Sequence, residues 1–296
     1  MMRSARRLSL LGACAALAMT SSAAALPGRP ARPSAAVVER TIGDIQRALD
    51  EGRLLDAGRL LDDAILAGAS DPRLSLLGGE LDLKHMRFDD ALSEFRDAQK
   101  TPATQARALE DEGVTLSLLG RSDQALEVLR TAVAANPKAW RAWNTLGSEY
   151  DARSQWSDAE AAYGQALAAS GGAAIVLNNR GYSRLLQHRR DDAVADLVSA
   201  LNKKPDLAEA RTNLRLALAF GGDYDRAIAG GSSLDRAAFL NNAGFAAAMR
   251  GDYAGAEDLL HRAIKLKSEY YDRASENLKI VEALAAQSPG PANAAP

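Results

Sequence analysis

The feature that most constrains this chain is a period. Ala57, Ala91, Ala125, Ala159, Ala193 and Ala227 recur at one constant interval, each numbered 34 above the last. Asp89, Asp123, Ser157, Asp191 and Asp225 keep the same interval two residues earlier, and Gly79, Gly113, Gly147 and Gly181 form a third series. A repeat of this length is one small supersecondary unit, which cannot bury its apolar face alone and must stack on its neighbours. Each unit carries two runs of helical periodicity separated by a turn that often holds glycine, as at Gly52, Gly120, Gly222 and Gly251. Abundant Ala and Leu with only 5% aromatic residues favour helices over sheets, so an all-α chain is expected.

Each series has a physical reading. Asp or Ser at the start of a second helix is expected to accept a hydrogen bond from a free amide, a cap worth about 1 kcal/mol. The glycines of the first helices and the alanines of the second are expected to face each other at the crossing, where small side chains let the axes approach to about 8 Å. Pro102, Pro137 and Pro205 are expected to end second helices, because proline disfavours a helical conformation in the residue before it. The units then fall at 38–71, 72–105, 106–139, 140–173, 174–207, 208–236 and 237–270, with a capping helix near 272–286. The first unit has Ile45 where the small residue is expected. The sixth is short, since the step from Ala227 to Ala256 is 29 instead of 34, and Gly230-Gly231-Ser232-Ser233 interrupts its second helix.

Trp143, Leu146, Gly147, Tyr150, Trp156, Ala159, Tyr163 and Ala166 have the order and spacing of a tetratricopeptide repeat, and the chain resembles that family over residues 38–286. The resemblance implies a right-handed superhelix of about seven helix hairpins plus a capping helix. It also implies a concave face lined by first helices, to which the second, fifth, sixth, ninth and twelfth residues of each unit turn. Within the family, the stretch from Trp143 to Ala229 is similar to the TadD-type proteins of tight-adherence (Flp) pilus assembly. That likeness lies in Trp143-Asn144-Thr145-Leu146-Gly147, Leu177-Asn178-Asn179-Arg180-Gly181-Tyr182 and Arg211-Thr212-Asn213-Leu214. It implies a periplasmic adaptor supporting a pilus secretion channel.

The N-terminus agrees with export. Arg3, Arg6 and Arg7 precede an apolar stretch from Leu8 to Met19, and small residues follow at Ser21 to Ala25, the layout of a secretory signal peptide over residues 1–25. The single cysteine, Cys14, follows Leu11-Gly12-Ala13, which resembles a bacterial lipoprotein processing site and gives a leader of 1–13 if Cys14 is lipidated. Cleavage near Ala25 leaves an apolar core of ordinary length, so both routes stay open. Pro27, Pro30 and Pro33 mark residues 26–37 as a linker, and the tail at 287–296, with Pro289 and Pro291, is expected to be disordered. Export implies the periplasm, with the outer membrane as the anchoring site if a lipid is attached. No later stretch approaches the ~20 apolar residues of a membrane helix.

Little in the chain suggests chemistry. One cysteine excludes an intramolecular disulfide, and His85, His188 and His261 have no metal-ligand spacing between them, so they read as solvated histidines. No phosphate-binding glycine loop lies between a strand and a helix, and no nucleophile motif is present. Trp140, Trp143 and Trp156 are expected to pack in the core. A formal net charge of -2 gives no basic surplus for nucleic acid. The chain therefore reads as a non-enzyme without metal or cofactor, whose partners are proteins.

On the expected concave face, Asn179, Asn213 and Asn242 hold sixth positions, and Asn144, Asn178, Thr212 and Asn241 hold fifth positions. A carboxamide is both donor and acceptor, so a row of them suits the backbone of an extended partner peptide. Arg141, Tyr182 and Phe245 beside the row would then select side chains. The competing reading is that these asparagines only solvate a groove or cap helix starts. A general envelope scaffold or chaperone with several clients, or a self-assembling structural protein, would carry the same array. Arg180 and Arg215 stand where a packing Leu and a small residue are expected. They either lay their methylenes on apolar surface or pair with an acid on the neighbouring second helix, such as Asp192 or Asp196.

Overall fold

The computed structural model describes residues 32–230, 232–266 and 271–287. The segment 1–25 with Cys14, most of the linker and the tail from 288 lie outside the described residues. All regular structure among the described residues is helical, and the helices pair into hairpins in chain order. They are α1 (Ala35–Asp50) with α2 (Leu54–Leu66), α3 (Pro72–Lys84) with α4 (Phe88–Ala98), and α5 (Pro102–Leu118) with α6 (Ser122–Ala135). Then come α7 (Trp140–Asp151) with α8 (Trp156–Ser170), α9 (Ala174–Leu186) with α10 (Arg190–Lys203), α11 (Ala208–Phe220) with α12 (Tyr224–Ile228), and α13 (Ser233–Met249) with α14 (Tyr253–Leu266). α15 (Asp272–Gln287) closes the array against α14. Helix α1 starts inside the segment assigned to the linker, and α5 and α13 each start four residues before the expected unit boundary.

The periodic small residues hold the hairpins together: a Cβ on Gly181 or Gly244 would lie 3.3 Å from the carbonyl of Ala193 or Ala256, so these pairs face each other as expected, with a large side chain beside them. The alanines of the second helices are sealed in: Ala91, Ala125, Ala159, Ala193 and Ala256 are 0% exposed. The glycines also face the large residue one turn beyond each alanine. A Cβ on Gly147 would lie 2.6 Å from the ring of Tyr163, and one on Gly113 would lie 2.6 Å from the side chain of Leu129. Gly244, opposite Leu260, belongs to the same series across the short unit. A side chain at any of these positions would push the two axes apart.

The cap assignment is corrected by the structure. Asp89, Asp123, Ser157 and Asp191 are the second residues of their helices, and no side-chain capping bond forms at the starts of α4, α6, α8 and α10. The cap positions themselves are Arg53, Arg87, Arg121, Gln155, Arg189 and Asp223, again spaced by the repeat interval. Asp223, not Asp225, accepts a backbone amide, from Arg226, and Asp252 before α14 accepts that of Gly255 at 3.0 Å. The first-turn acids instead lie in the favourable field of the helix N-terminus. Two of them also tie neighbouring units together, Asp89 to Arg121 at 2.9 Å and Asp123 to Arg153 at 2.8 Å.

Turns and breaks follow backbone chemistry. The hairpin turns place Gly52, Met86, Gly120, Ser154, His188, Gly222 and Gly251 in the left-handed region at one repeat position, so glycine is favoured there without being required. Asn136 and Lys204, which precede Pro137 and Pro205, leave the helical region and end α6 and α10, whereas α4 already stops at Ala98 and the extended Thr101 before Pro102 lies three residues beyond it. Pro102 instead opens α5 as its first residue, where its missing amide costs nothing. In the sixth unit α12 stops after five residues at Ala229, just before Gly230.

Candidate functional site

Packing sets which face is inside. Successive first helices touch from α1 through α3, α5, α7, α9, α11 and α13, while no two successive second helices do among the described residues. The array therefore curves with its first helices on the inner side. Among the described residues no group of three or more His, Cys, Asp or Glu is placed to hold a metal ion, and no helix is long and apolar enough to cross a membrane. His85, His188 and His261 are all exposed. Trp140 and Trp143 pack on the core around Tyr163, and the Trp143 indole donates to the carbonyl of Pro137.

The inner face changes character along the array. In the first half it is ionic. Arg73, Arg107 and Arg141 take the same unit position, and each spans to carboxylates around it: Arg73 to Glu39 and Asp71, Arg107 to Glu80 and Asp111, Arg141 to Glu110 and Asp111. Glu110 also accepts the amides of Arg141 and Ala142, at 3.1 and 3.2 Å, and so caps α7 from the preceding unit. Asp111, 5% exposed, is pushed up to about 6 by burial against the opposing pull of Arg107 and Arg141. Arg141 is thus engaged with its own protein, with part of its side chain still open to solvent.

In the second half the ionic pairs give way to carboxamides. The Asn213 Nδ2 donates to Asn178 Oδ1 at 3.0 Å, Asn178 Nδ2 to Asn179 Oδ1 at 3.1 Å, and Asn179 Nδ2 to Asn144 Oδ1 at 3.1 Å. Four carboxamides thereby link units four, five and six in one chain. A second run joins Asn277 on α15 to Asn241 and Asn241 to Asn242. Asn178 and Asn241 are buried, Asn144, Asn179 and Asn213 are half-buried, and Asn242 is exposed. Thr212 bonds back to its own helix at Ala208. Each amide in the chain still has an unused N–H or lone pair, because a carboxamide offers two donors and two acceptor sites. Asn178, Asn179, Tyr182, Thr212 and Asn213 line a shallow hollow of about 420 Å³ between α9 and α11.

The structure thus brings the expected asparagines together, but bonded to one another rather than as separate free rungs. Tyr182 and Phe245 are exposed beside them, at 43% and 48%. The sequence reading misses Asn277 because it takes α15 only as a cap. The signal that finds it is its separation from Asn241, which is close to the repeat interval.

The two misplaced arginines have different fates. Arg180 pairs with Asp196 through Nε and Nη2, both at 2.8 Å. Arg215 finds no acid. Its Nη1 donates to the carbonyls of Ala227 and Ala229, at 2.8 and 2.7 Å, and its guanidinium lies 3.8 Å over the ring of Phe239. It closes the end of the truncated α12, as cations do at helix C-termini.

Solved structures settle the architecture. A tetratricopeptide repeat protein from Parabacteroides merdae superposes with a TM-score of 0.53 at 16% identity, covering 82% of this chain and 98% of that one. The fold is a tetratricopeptide-repeat solenoid. The type IV pilus biogenesis factor PilW gives a TM-score of 0.56 at 16% identity, over 83% of this chain and 100% of PilW. A chain of the APC/C Cut9–Hcn1 hetero-tetramer gives 0.62 at 17% identity over 80% of this chain and 48% of that longer one. No family model and no curated protein matches the chain.

Proposed function

We propose that this protein is a non-catalytic adaptor that holds an extended segment of a partner protein on the inner face of units four to seven. The observation that carries the proposal is the carboxamide chain from Asn213 to Asn144 beside an open hollow. Mutual bonding fixes the amide planes, and the unused donors and acceptors then point at regular intervals toward a backbone that repeats the same groups. Arg141, Asn144, Asn178, Asn179, Tyr182, Thr212, Asn213, Asn241, Asn242 and Phe245 form the proposed groove.

The partner is placed in the envelope, and the adaptor in the periplasm, supporting a Flp-type pilus or its secretion channel. That placement rests on the signal-like residues 1–25 and on the resemblance over Trp143 to Ala229. PilW, similar in fold, is itself a pilus biogenesis factor. Outer-membrane anchoring follows if Cys14 carries a lipid.

Affinity capture from envelope fractions tests the reading, comparing the parent with a variant carrying Asn179→Ala, Asn213→Ala and Asn242→Ala. Each bond to a neutral group contributes about 0.5–1.5 kcal/mol, so single changes weaken capture modestly and the triple change severely. A triple variant that folds like the parent and captures the same proteins equally well removes the groove from the proposal. Recovery of many unrelated envelope proteins instead of pilus components points to a general scaffold. Mass spectrometry of the exported protein decides anchoring, by an acylated Cys14 or an unmodified start near Leu26.

A further inference from the structure

The carboxamides form one of two rows on the inner face. Tyr182 and Leu186 on α9, Leu216 and Phe220 on α11, and Phe245 and Met249 on α13 hold the same two positions of three successive first helices, one full repeat and then one shortened repeat apart. Tyr182, Leu186, Phe245 and Met249 are exposed, Met249 at 66%, and Leu216 and Phe220 are half-buried. Because α9 touches α11 and α11 touches α13, the three pairs make one apolar stripe running across the helices. It borders a cavity of about 890 Å³, twice the hollow at the asparagines. A contiguous exposed apolar stripe of this kind marks an interaction surface.

Charge at the rim narrows the occupant. Arg189 and Arg190 line the cavity but are neutralised by Asp192 and Asp191, at 2.8 and 2.7 Å. Arg250, on the opposite rim, forms no ion pair with any described residue, so the cavity carries one uncompensated cation. Geometry supplies the spacing. The two positions of the stripe lie three or four and seven or eight residues further along each helix than the carboxamides, displacements of about 5 Å and about 11 Å. Successive helices are about 9 Å apart, which equals two to three residues of extended chain.

We propose that this stripe is the side-chain-reading half of the groove. It takes an extended segment with large apolar side chains two or three residues apart and an Asp or Glu beside them, which meets Arg250. The inference rests on the adaptor reading, because the carboxamide row is what holds such a segment's backbone. Tyr182 serves both rows, lining the hollow and the cavity alike.

Selection of phage-displayed random eight-residue peptides on the full chain tests it. Enriched peptides carry Leu, Ile, Phe or Met at the stated spacing with an adjacent acid. The double variant Leu186→Lys, Met249→Lys, altered only at exposed positions, binds them about tenfold more weakly or worse, with an unchanged circular dichroism melt. Arg250→Glu switches the enriched flanking residue from acidic to basic. Enriched peptides without apolar preference, or with apolar residues at the three-and-four spacing of a helix, overturn the inference. So does equal binding by the double variant. If binding is then lost only in the triple asparagine variant, the adaptor reading stands without this stripe. Failure of the parent to enrich any peptide overturns both.

Discussion

Arg180 and Asp196 form a two-bonded ion pair across the fifth hairpin, with Nε and Nη2 each 2.8 Å from a carboxylate oxygen. Asp196 is 5% exposed and also accepts from Arg184 at 2.8 Å, so one buried carboxylate joins two arginines of α9 to α10. Removing the carboxylate leaves Arg180 without its acid and Arg184 with Glu160 alone, whereas removing Arg180 leaves the Arg184–Asp196 bond in place. Asp196→Ala is therefore expected to cost about 3–5 kcal/mol and Arg180→Ala clearly less. Urea denaturation of the two variants checks the order, and an equal or larger loss for Arg180→Ala contradicts it.

Gly147→Ala is expected to destabilise the solenoid by about 1–3 kcal/mol, because the new Cβ would lie 2.6 Å from the ring of Tyr163, itself fully buried. Ala159→Leu and Ala193→Leu, both at 0% exposure, belong to the same class. Gly164 is the internal control. It lies within α8 with nothing within 4 Å of its Cβ direction, so Gly164→Ala is expected to stabilise by about 0.5–1 kcal/mol. Thermal melts that rank the two glycine variants the other way refute the assigned crossing.

These contrasts explain what can be read in the sequence. The period is legible because the crossings of units two to five and seven leave room only for small residues, and steric exclusion leaves a residue type as its trace. The caps mislead because Asp89, Asp123 and Asp191 stand one residue inside their helices, while the cap positions carry arginines that form no capping bond. The asparagines are visible as residues, but their mutual bonding depends on the distance between helices, which no single unit encodes. The apolar stripe is hidden by the shortening of the sixth unit, which moves Phe245 and Met249 off the register of the units before it. Arg215 looks like a register error. It fills the place of the missing turns of α12, a role that exists only once Gly230 has ended that helix.

The ionic half of the inner face is expected to respond to acid. Burial raises the Asp111 carboxyl from an ordinary value of 3.8 to about 6, despite Arg107 and Arg141, and Glu80 adds to the rise. The folded state thus binds this proton more tightly than the unfolded chain. Its contribution favours folding below about pH 4 and weakens as pH rises through 6. Relative to Asp111→Asn, the parent should lose up to about 3 kcal/mol between pH 4 and pH 7. Comparing the two proteins cancels the other carboxylates. A difference in unfolding free energy that stays flat over this window, or grows with pH, removes Asp111 as the cause.

Asn178 and Asn242 separate the structural from the binding role of the carboxamides. Asn178 is 4% exposed and bonds at both ends, donating to Asn179 and accepting from Asn213, so its loss leaves both of those partners unpaired on that side. Asn178→Ala is expected to destabilise by about 1–3 kcal/mol, with faster amide hydrogen exchange in α9 and α11 because the two helices are no longer tied. Asn242 is exposed and bonds only to its neighbour Asn241. Asn242→Ala should leave the melt within about 0.5 kcal/mol of the parent while weakening capture of an extended partner. If Asn242→Ala lowers stability as much as Asn178→Ala, the second run is a structural tie as well, and the proposed groove shrinks to units four to six.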